Sequence, residues 1–261
     1  MVDFLFPLPL VLVQMIFFSS NTAAIIKKPI LTSSSQVITK TFTPHHSGPL
    51  PATLTSTLIN RFWCKDGYTL FPDVSYLQQL SHTPQRQKNA KQRLVIGVIT
   101  NSDDRVPDVL SSLGLKVHGL RYNRSQETMI ESSEKDQAQQ AQDIDFCIMS
   151  YDVGVEKPEP EIFNAAISTL ESMLVSEGNS YEKEDWDLLY VGDEVAKDAK
   201  GAVQAGWDAV LLDRGAEVDA AYEGDAPGVE GVIEVEGKKV SVLKGFEALG
   251  TYGGHELLKI R

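Results

Sequence analysis

A chain of 261 residues with a formal net charge of −12 is long enough for one large domain or two small ones. The charge is uneven: residues 1–100 carry nine Lys or Arg and three Asp or Glu, whereas the remainder carries 15 and 33. This acidic main body argues against nucleic acid as a partner, because phosphate backbones would be repelled. The two cysteines, Cys64 and Cys147, indicate neither a disulfide framework nor a metal cluster. They favour a reducing compartment, so we expect the cytoplasm and leave mitochondria and nucleus open.

The first part of the chain differs in composition from the rest. Residues 4–18 are apolar, but this run is short for a membrane span and is interrupted by two prolines. Residues 19–60 are rich in Ser and Thr and contain no acidic residue, which is typical of a transit peptide or a disordered tail. We therefore expect an apolar leader plus a disordered segment over residues 1–57, no stable membrane span, and an α/β core over residues 58–261.

Further along the chain, apolar runs of strand length alternate with helical patterns. The runs with strand character are residues 93–100, 145–150, 187–193 and 208–213. A helix is predicted after the first run, ending at Gly114. Another is predicted within residues 158–174, and a third passes through Ala199 and Ala202. Strands that are apolar throughout and alternate with helices predict a doubly wound, Rossmann-like parallel sheet with both faces covered.

Polar residues follow three of these predicted strands. Thr100 and Asn101 come at the end of the first, Lys157 lies in the loop after the second, and Asp193 ends the third. Because ligands of open α/β sheets bind at the carboxyl ends of the strands, we expect these side chains to share one edge. A hydroxyl, an ammonium group and a carboxylate that can hold a hard cation suit the binding of a phosphoryl group.

Three segments in this order resemble motifs of the haloacid dehalogenase (HAD) superfamily. They read VITNSDD (98–104), VGVEKPEPEIF (153–163) and VGDEVAKDAKGAVQAGW (191–207), and the resemblance covers residues 58–214. Within the superfamily, the chain resembles the haloacid dehalogenase-like hydrolase domain-containing protein 3 group. The resemblance implies a HAD-type fold, here with a missing or much reduced cap.

The resemblance also implies roles for individual residues. Thr100, with Asn101, would bind the transferring phosphoryl group, and Lys157 would stabilise its charge. Asp193 would be a Mg²⁺ ligand, and Asp198 would support the metal directly or through water. The substrate implied is a small phosphorylated metabolite. Asp193 disfavours the metal-independent dehalogenases of the superfamily.

The superfamily's nucleophile, an aspartate in a D-x-D-x-[TV] segment after the first strand, has no match in the 261 residues. The nearest candidate is residues 11–22, in which Ser19 and Asn21 stand where the two aspartates would be. Neither replaces them, because serine lacks a carboxylate and asparagine cannot shuttle a proton.

Two questions therefore stay open from the sequence. The protein is expected to be a Mg²⁺-dependent phosphomonoesterase impaired by this loss or, alternatively, a non-catalytic binding protein of the same fold. The apolar run near residue 11 is either a leader or a replacement for the central strand that normally carries the nucleophile.

Overall fold

The structure, a computed structural model, describes residues 10–14, 30–88, 90, 93–122, 142–182, 185–221 and 229–250. Its centre is one seven-stranded sheet in the order β3-β2-β1-β4-β5-β7-β6. All neighbouring strands are parallel except β6 and β7, which are antiparallel. The strands are β1 (Leu10–Gln14), β2 (Leu94–Thr100), β3 (Phe146–Met149), β4 (Asp187–Gly192), β5 (Asp208–Leu212), β6 (Val229–Val235) and β7 (Lys238–Leu243).

Helices cover both faces of this sheet. They are α1 (Ile30–Phe42), α2 (Leu54–Arg61), α3 (Val74–Leu80), α4 (Val106–Ser112), α5 (Ser150–Val153), α6 (Pro160–Ser176) and α7 (Lys200–Gln204), with a π-helical turn at Val195–Ala199 and 3-10 turns at Thr43–His45, Lys65–Gly67, Pro84–Arg86 and Phe246–Gly250. Buried side chains of α3, α4 and the last 3-10 turn pack on one face, and those of α6 and α7 pack on the other. The predicted doubly wound α/β fold is therefore confirmed.

The four predicted strands form at the expected places, because each is an apolar run that the sheet buries. β2 is buried over its first six residues, and β3 over its whole length. The hairpin of β6 and β7 was not among the predicted strands. β6 is the edge strand and is only partly buried. Its sequence therefore lacks the continuous apolar run that identifies central strands.

The structure answers the open question about the apolar run near residue 11. Leu10–Gln14 is the central strand β1 and pairs in parallel with β2 on one side and β4 on the other. Here the structure differs from the expected leader, and α1 also lies within residues 1–57. The physical reason is that an empty place between β2 and β4 would leave two rows of backbone hydrogen-bonding groups unpaired. The boundary at residue 57 and the reduced cap stay predictions.

Candidate active site

The predicted site residues lie at or after the carboxyl ends of three strands of the sheet, β2, β3 and β4. Thr100 is the last residue of β2 and is level with Met149 of β3. Lys157 lies in the loop that joins α5 to α6, after β3, and its peptide bond to Pro158 is cis. Asp193 follows β4 directly. This is the edge at which open α/β sheets bind ligands.

A fully buried ion pair joins two of these segments. The Lys157 Nζ donates to Asp198 Oδ1 over 2.7 Å, and the two side chains are 0% and 1% exposed. Lys157 Nζ also donates to the Tyr190 hydroxyl over 2.9 Å. Burial lowers the pKa of Lys157 from its usual value, against the opposing effect of the Asp198 carboxylate. The contacts with Asp198 and Tyr190 thus fix the position of the ammonium group.

Asn101 holds the backbone of Lys157. Its amide Nδ2 donates to the Lys157 carbonyl oxygen over 3.1 Å, and its Oδ1 accepts from the Lys157 backbone N–H over 2.7 Å. The Asn101 side chain therefore connects the loop after β2 to the loop that carries the lysine. The amide Nδ2 carries a second N–H, so phosphate binding by the Asn101 side chain or by its backbone N–H stays a prediction.

Asp198 organises the turn that carries Asp193. Its Oδ2 accepts from the backbone N–H groups of Asp193 (3.1 Å) and Glu194 (3.0 Å), while its Oδ1 faces Lys157 and Tyr190. The carboxylate packs so closely against Gly192 that a Cβ there would lie 2.4 Å from the Asp198 Cβ. A side chain at position 192 would displace Asp198, which explains why glycine precedes Asp193.

The Asp193 carboxylate differs from that of Asp198, because one of its oxygens is not engaged. Oδ1 is buried and has no hydrogen-bond partner among the residues that the structure describes. Burial, reinforced by the charges of Asp198 and Glu194, raises the pKa of Asp193 from 3.8 to about 7. The positive charges of Lys157 and Arg214 act in the opposite direction but do not cancel the increase. A cation at this carboxylate would relieve the repulsion.

Sequence reasoning missed two residues of this edge. Tyr190 was assigned only to an apolar strand, although alternation along β4 places it on the same face as Gly192, against which Asp198 packs. The two-residue spacing between Tyr190 and Gly192 was the signal in the sequence that could have identified Tyr190. Arg214, just after β5, was not considered. Its guanidinium lies over the rings of Phe71 (4.4 Å) and Phe246 (5.1 Å) and its Nη2 is 2.7 Å from Asp73 Oδ2.

Asp145 and Asp187 lie next to strands but do not lie at this edge. Asp145 precedes β3, where it binds Arg86 and the backbone N–H of Ile96. Asp187 is the first residue of β4. Ser19 and Asn21 lie outside the described residues. Within the described part of the chain, no group of three His, Cys, Asp or Glu side chains is arranged to hold a metal ion.

Part of the chain matches the model of a known protein family. Residues 155–234 match the family model described as HAD-hydrolase-like, and this stretch contains Lys157, Asp193 and Asp198. The resemblance to the HAD superfamily is confirmed. The assignment to the hydrolase domain-containing protein 3 group stays a prediction.

Curated relatives carry similar sequences in longer chains. An uncharacterized hydrolase of Schizosaccharomyces pombe is 27% identical over 166 residues, which is 63% of this chain and 56% of the relative. The Rhythmically expressed gene 2 protein of Drosophila melanogaster is 28% identical over 141 residues, 53% of this chain and 39% of the relative. The chain spans about half the length of the curated relatives that it matches.

Two of the solved structures that align with this chain are a HAD phosphatase and a HAD-hydrolase. A HAD phosphatase from Thermococcus onnurineus aligns with a TM-score of 0.45 at 16% identity, covering 94% of this chain and 98% of that chain. The HAD-hydrolase YfnB from Bacillus subtilis, bound to magnesium, aligns with a TM-score of 0.38 at 13% identity, covering 97% and 99%. Among the described residues, no helix is long and apolar enough to cross a membrane.

Proposed function

We propose that this chain is a HAD-like hydrolase of the Mg²⁺-dependent phosphomonoesterase type with impaired turnover, and that it binds a small phosphorylated metabolite at the carboxyl edge of the sheet. The observation that carries the proposal is the contrast between Lys157 and Asp193 at this edge. Lys157 is a buried cation fixed by partners, and Asp193 beside it has a buried oxygen without one among the described residues. A divalent cation bound with a phosphate monoester would engage the Asp193 oxygen, and the nearby Lys157 charge would attract the phosphoryl group.

Lys157 and the end of β2 would bind the phosphoryl group. The lysine supplies a positive charge in a water-excluded position, where attraction to an anion is stronger than in water. The Thr100 hydroxyl and the backbone N–H groups of the loop that follows would donate to phosphoryl oxygens. Asn101 supports this arrangement by fixing the Lys157 backbone.

The residues present fit Mg²⁺ at Asp193. Mg²⁺ is commonly held by one or two carboxylates, with water and substrate phosphate completing its coordination. Asp193 offers such an oxygen, and its raised pKa reflects a site with an excess of negative charge. Asp198 would support the metal indirectly, because both of its oxygens already accept hydrogen bonds. When bound, Mg²⁺ would neutralise charge on the phosphoryl group.

The impairment follows from the residues around β1. Gln14, the last residue of β1, is in register with Val98 and Val191, two residues before Thr100 and Asp193. The sequence contains no Asp or Glu between residues 4 and 65. A covalent aspartyl-phosphate therefore has no carboxylate beside the central strand on which to form. The same observation favours the second candidate, a pseudoenzyme that binds phosphate without hydrolysing it.

The two candidates are separated by assaying hydrolysis and binding on the same samples. We would measure Mg²⁺-dependent hydrolysis of p-nitrophenyl phosphate, and the melting-temperature shifts caused by Mg²⁺ and by inorganic phosphate. The variants are Asp193→Ala and the control Asp208→Ala, which removes an exposed carboxylate at the start of β5.

Slow hydrolysis that disappears in Asp193→Ala but not in Asp208→Ala would support the impaired hydrolase. Ligand-induced shifts without turnover, lost in the same variant, would support the binding protein. If neither ligand shifts the melting temperature of the wild type, the proposed site is wrong.

A further inference from the structure

We propose that the Tyr190 hydroxyl is a positioning group that aligns the three segments of the phosphate site. This inference rests on the proposed function and deepens it. Thr100, Lys157 and Asp193 come from β2, from the loop after β3 and from the turn after β4. Tyr190 contacts each of the three segments.

The hydroxyl lies at the centre of a compact network. It accepts from Lys157 Nζ over 2.9 Å. Its single proton is shared between Asp198 Oδ1 at 3.2 Å and the carbonyl oxygen of Ile99 at 3.4 Å. Three-centre bonds of this kind are a common way to satisfy one donor with two acceptors. One oxygen atom thus contacts the ammonium group, its counter-ion and the backbone of β2.

Each residue that the hydroxyl contacts either has a proposed role itself or adjoins or hydrogen-bonds to a residue that has one. Lys157 is itself the phosphate-binding cation. Ile99 is the residue before Thr100. Asp198 accepts from the backbone N–H groups of Asp193 and Glu194 through its other oxygen, so the orientation of Asp198 determines where the Asp193 turn lies.

The ring of Tyr190 has a separate and structural role. It is fully buried, packs edge-on against Phe163 with centroids 5.3 Å apart, and lies 5.5 Å from the Lys157 Nζ. Phenylalanine would keep these ring contacts and remove only the hydroxyl. Tyr190→Phe therefore tests the hydroxyl alone. Tyr181→Phe is the matched control, because Tyr181 packs against the same core cluster but precedes β4.

The first measurement is a titration of inorganic phosphate, in the presence of Mg²⁺, into wild type and both variants. We expect Tyr190→Phe to weaken phosphate binding about tenfold, since hydrogen bonds that involve charged groups are among the stronger ones. Tyr181→Phe should bind phosphate as the wild type does. Equal phosphate affinity in wild type and Tyr190→Phe would overturn the proposal.

The second measurement does not depend on phosphate. Amide hydrogen exchange at Asp193 and Glu194 should accelerate in Tyr190→Phe, because Asp198 loses one of the partners that hold it, while exchange in the central strands stays unchanged. Acceleration of all amides alike would indicate general destabilisation and overturn the positioning role, as would unchanged exchange. If the wild type binds no phosphate, the proposed function is wrong, and exchange alone decides whether Tyr190 orders the Asp193 turn.

Discussion

Both edges of the sheet contain ion pairs with little exposure, but the fully buried pair at the carboxyl edge uses a lysine. At the amino edge, Arg93 pairs with Glu177, and Arg86 pairs with Asp145 through its two Nη atoms. At the carboxyl edge, Lys157 pairs with Asp198, in addition to the pair of Arg214 and Asp73. The arginine pairs of the amino edge connect residues that come just before β2 and β3 to their neighbours, and no proposed site residue touches them.

The type of cation separates the ion pairs that connect structural elements from the ion pair of the proposed ligand site. An arginine in a two-pronged pair is fixed in geometry and in charge, which suits a permanent connection between elements. Lysine presents a compact ammonium group that can also meet an incoming anion. The amino edge pairs its carboxylates with guanidinium groups, whereas the carboxyl edge leaves one oxygen of Asp193 without a hydrogen-bond partner in the described residues. At the amino edge, Nε of Arg86 and Nε of Arg93 also have no hydrogen-bond partner among the described residues. The edges therefore differ in chemistry, because a carboxylate oxygen can bind a cation and a guanidinium nitrogen cannot.

The largest expected effect comes from removing one cation at each edge. Lys157→Met should lower the free energy of unfolding by about 3–5 kcal/mol, because it leaves the Asp198 carboxylate buried without its counter-ion. Arg86→Met should cost about 2–3 kcal/mol, since Asp145 is 19% exposed and keeps the Ile96 N–H. Denaturant unfolding measures both.

The two variants should then separate in ligand binding. Arg86→Met should keep the melting-temperature shift that phosphate and Mg²⁺ cause, and Lys157→Met should lose the phosphate shift. If both variants lost it equally, the contrast between the edges would be wrong.

A smaller loss is expected from Asn101→Ala. The variant removes both hydrogen bonds to the Lys157 backbone, which predicts a destabilisation of about 1–2 kcal/mol and weaker phosphate binding. Asn60→Ala, at an exposed position of α2, is the control and should change neither quantity. Unchanged phosphate affinity in Asn101→Ala would show that the loop keeps Lys157 in place without this clamp.

Asp193→Asn tests the carboxyl edge through the pH dependence of the free energy of unfolding. The raised pKa means that folded Asp193 holds its proton up to about pH 7, while the unfolded chain releases it near pH 4. The folded state therefore binds more protons in this window, and the free energy of unfolding should fall as pH rises from about 4 to 7. Asp193→Asn should remove that part of the slope.

The measurement is denaturant unfolding across this pH range in the presence of EDTA. Added Mg²⁺ should oppose the fall in the wild type and leave Asp193→Asn unaffected. A slope that is the same in both proteins would place the titration elsewhere.

The smallest effect on stability is expected from Thr100→Val. Valine has the shape of threonine and suits the end of a strand, so the free energy of unfolding should change by no more than about 0.5 kcal/mol. Phosphate affinity, measured by calorimetric titration, should fall about fivefold because one donor is lost. An unchanged affinity would limit the phosphate site to Lys157 and backbone groups.

The core of the fold was predictable because its strands are buried on both faces. Residues 94–100 and 187–192 are almost wholly apolar, and such runs have few alternatives to a central parallel strand. The five residues of β1 were harder to assign. An apolar run near Pro7 and Pro9 is equally typical of a leader, and only the place between β2 and β4 distinguishes the two. Partner strands far away in sequence cannot be read from a local pattern.

The candidate site was predictable where its residues follow strands directly. Thr100 and Asp193 needed only the strand ends and the rule that ligands meet them there. The network behind them was not predictable in the same way. Tyr190 serves the site from inside a strand, and its hydroxyl has a role only because Lys157 and Asp198 arrive beside it from distant segments. The position of Arg214 likewise depends on Phe71, Asp73 and Phe246, which come from two separate parts of the chain.

The central position of β1 determines the order in which the molecule can assemble during translation. Leu10–Gln14 precedes both of its partner strands, one of which begins at Leu94 and the other at Asp187. Pairings between residues so distant form slowly, because long loops must close before any contact stabilises them. Until β4 has been synthesised, one side of β1 has no partner strand, and unpaired strand edges promote aggregation during folding.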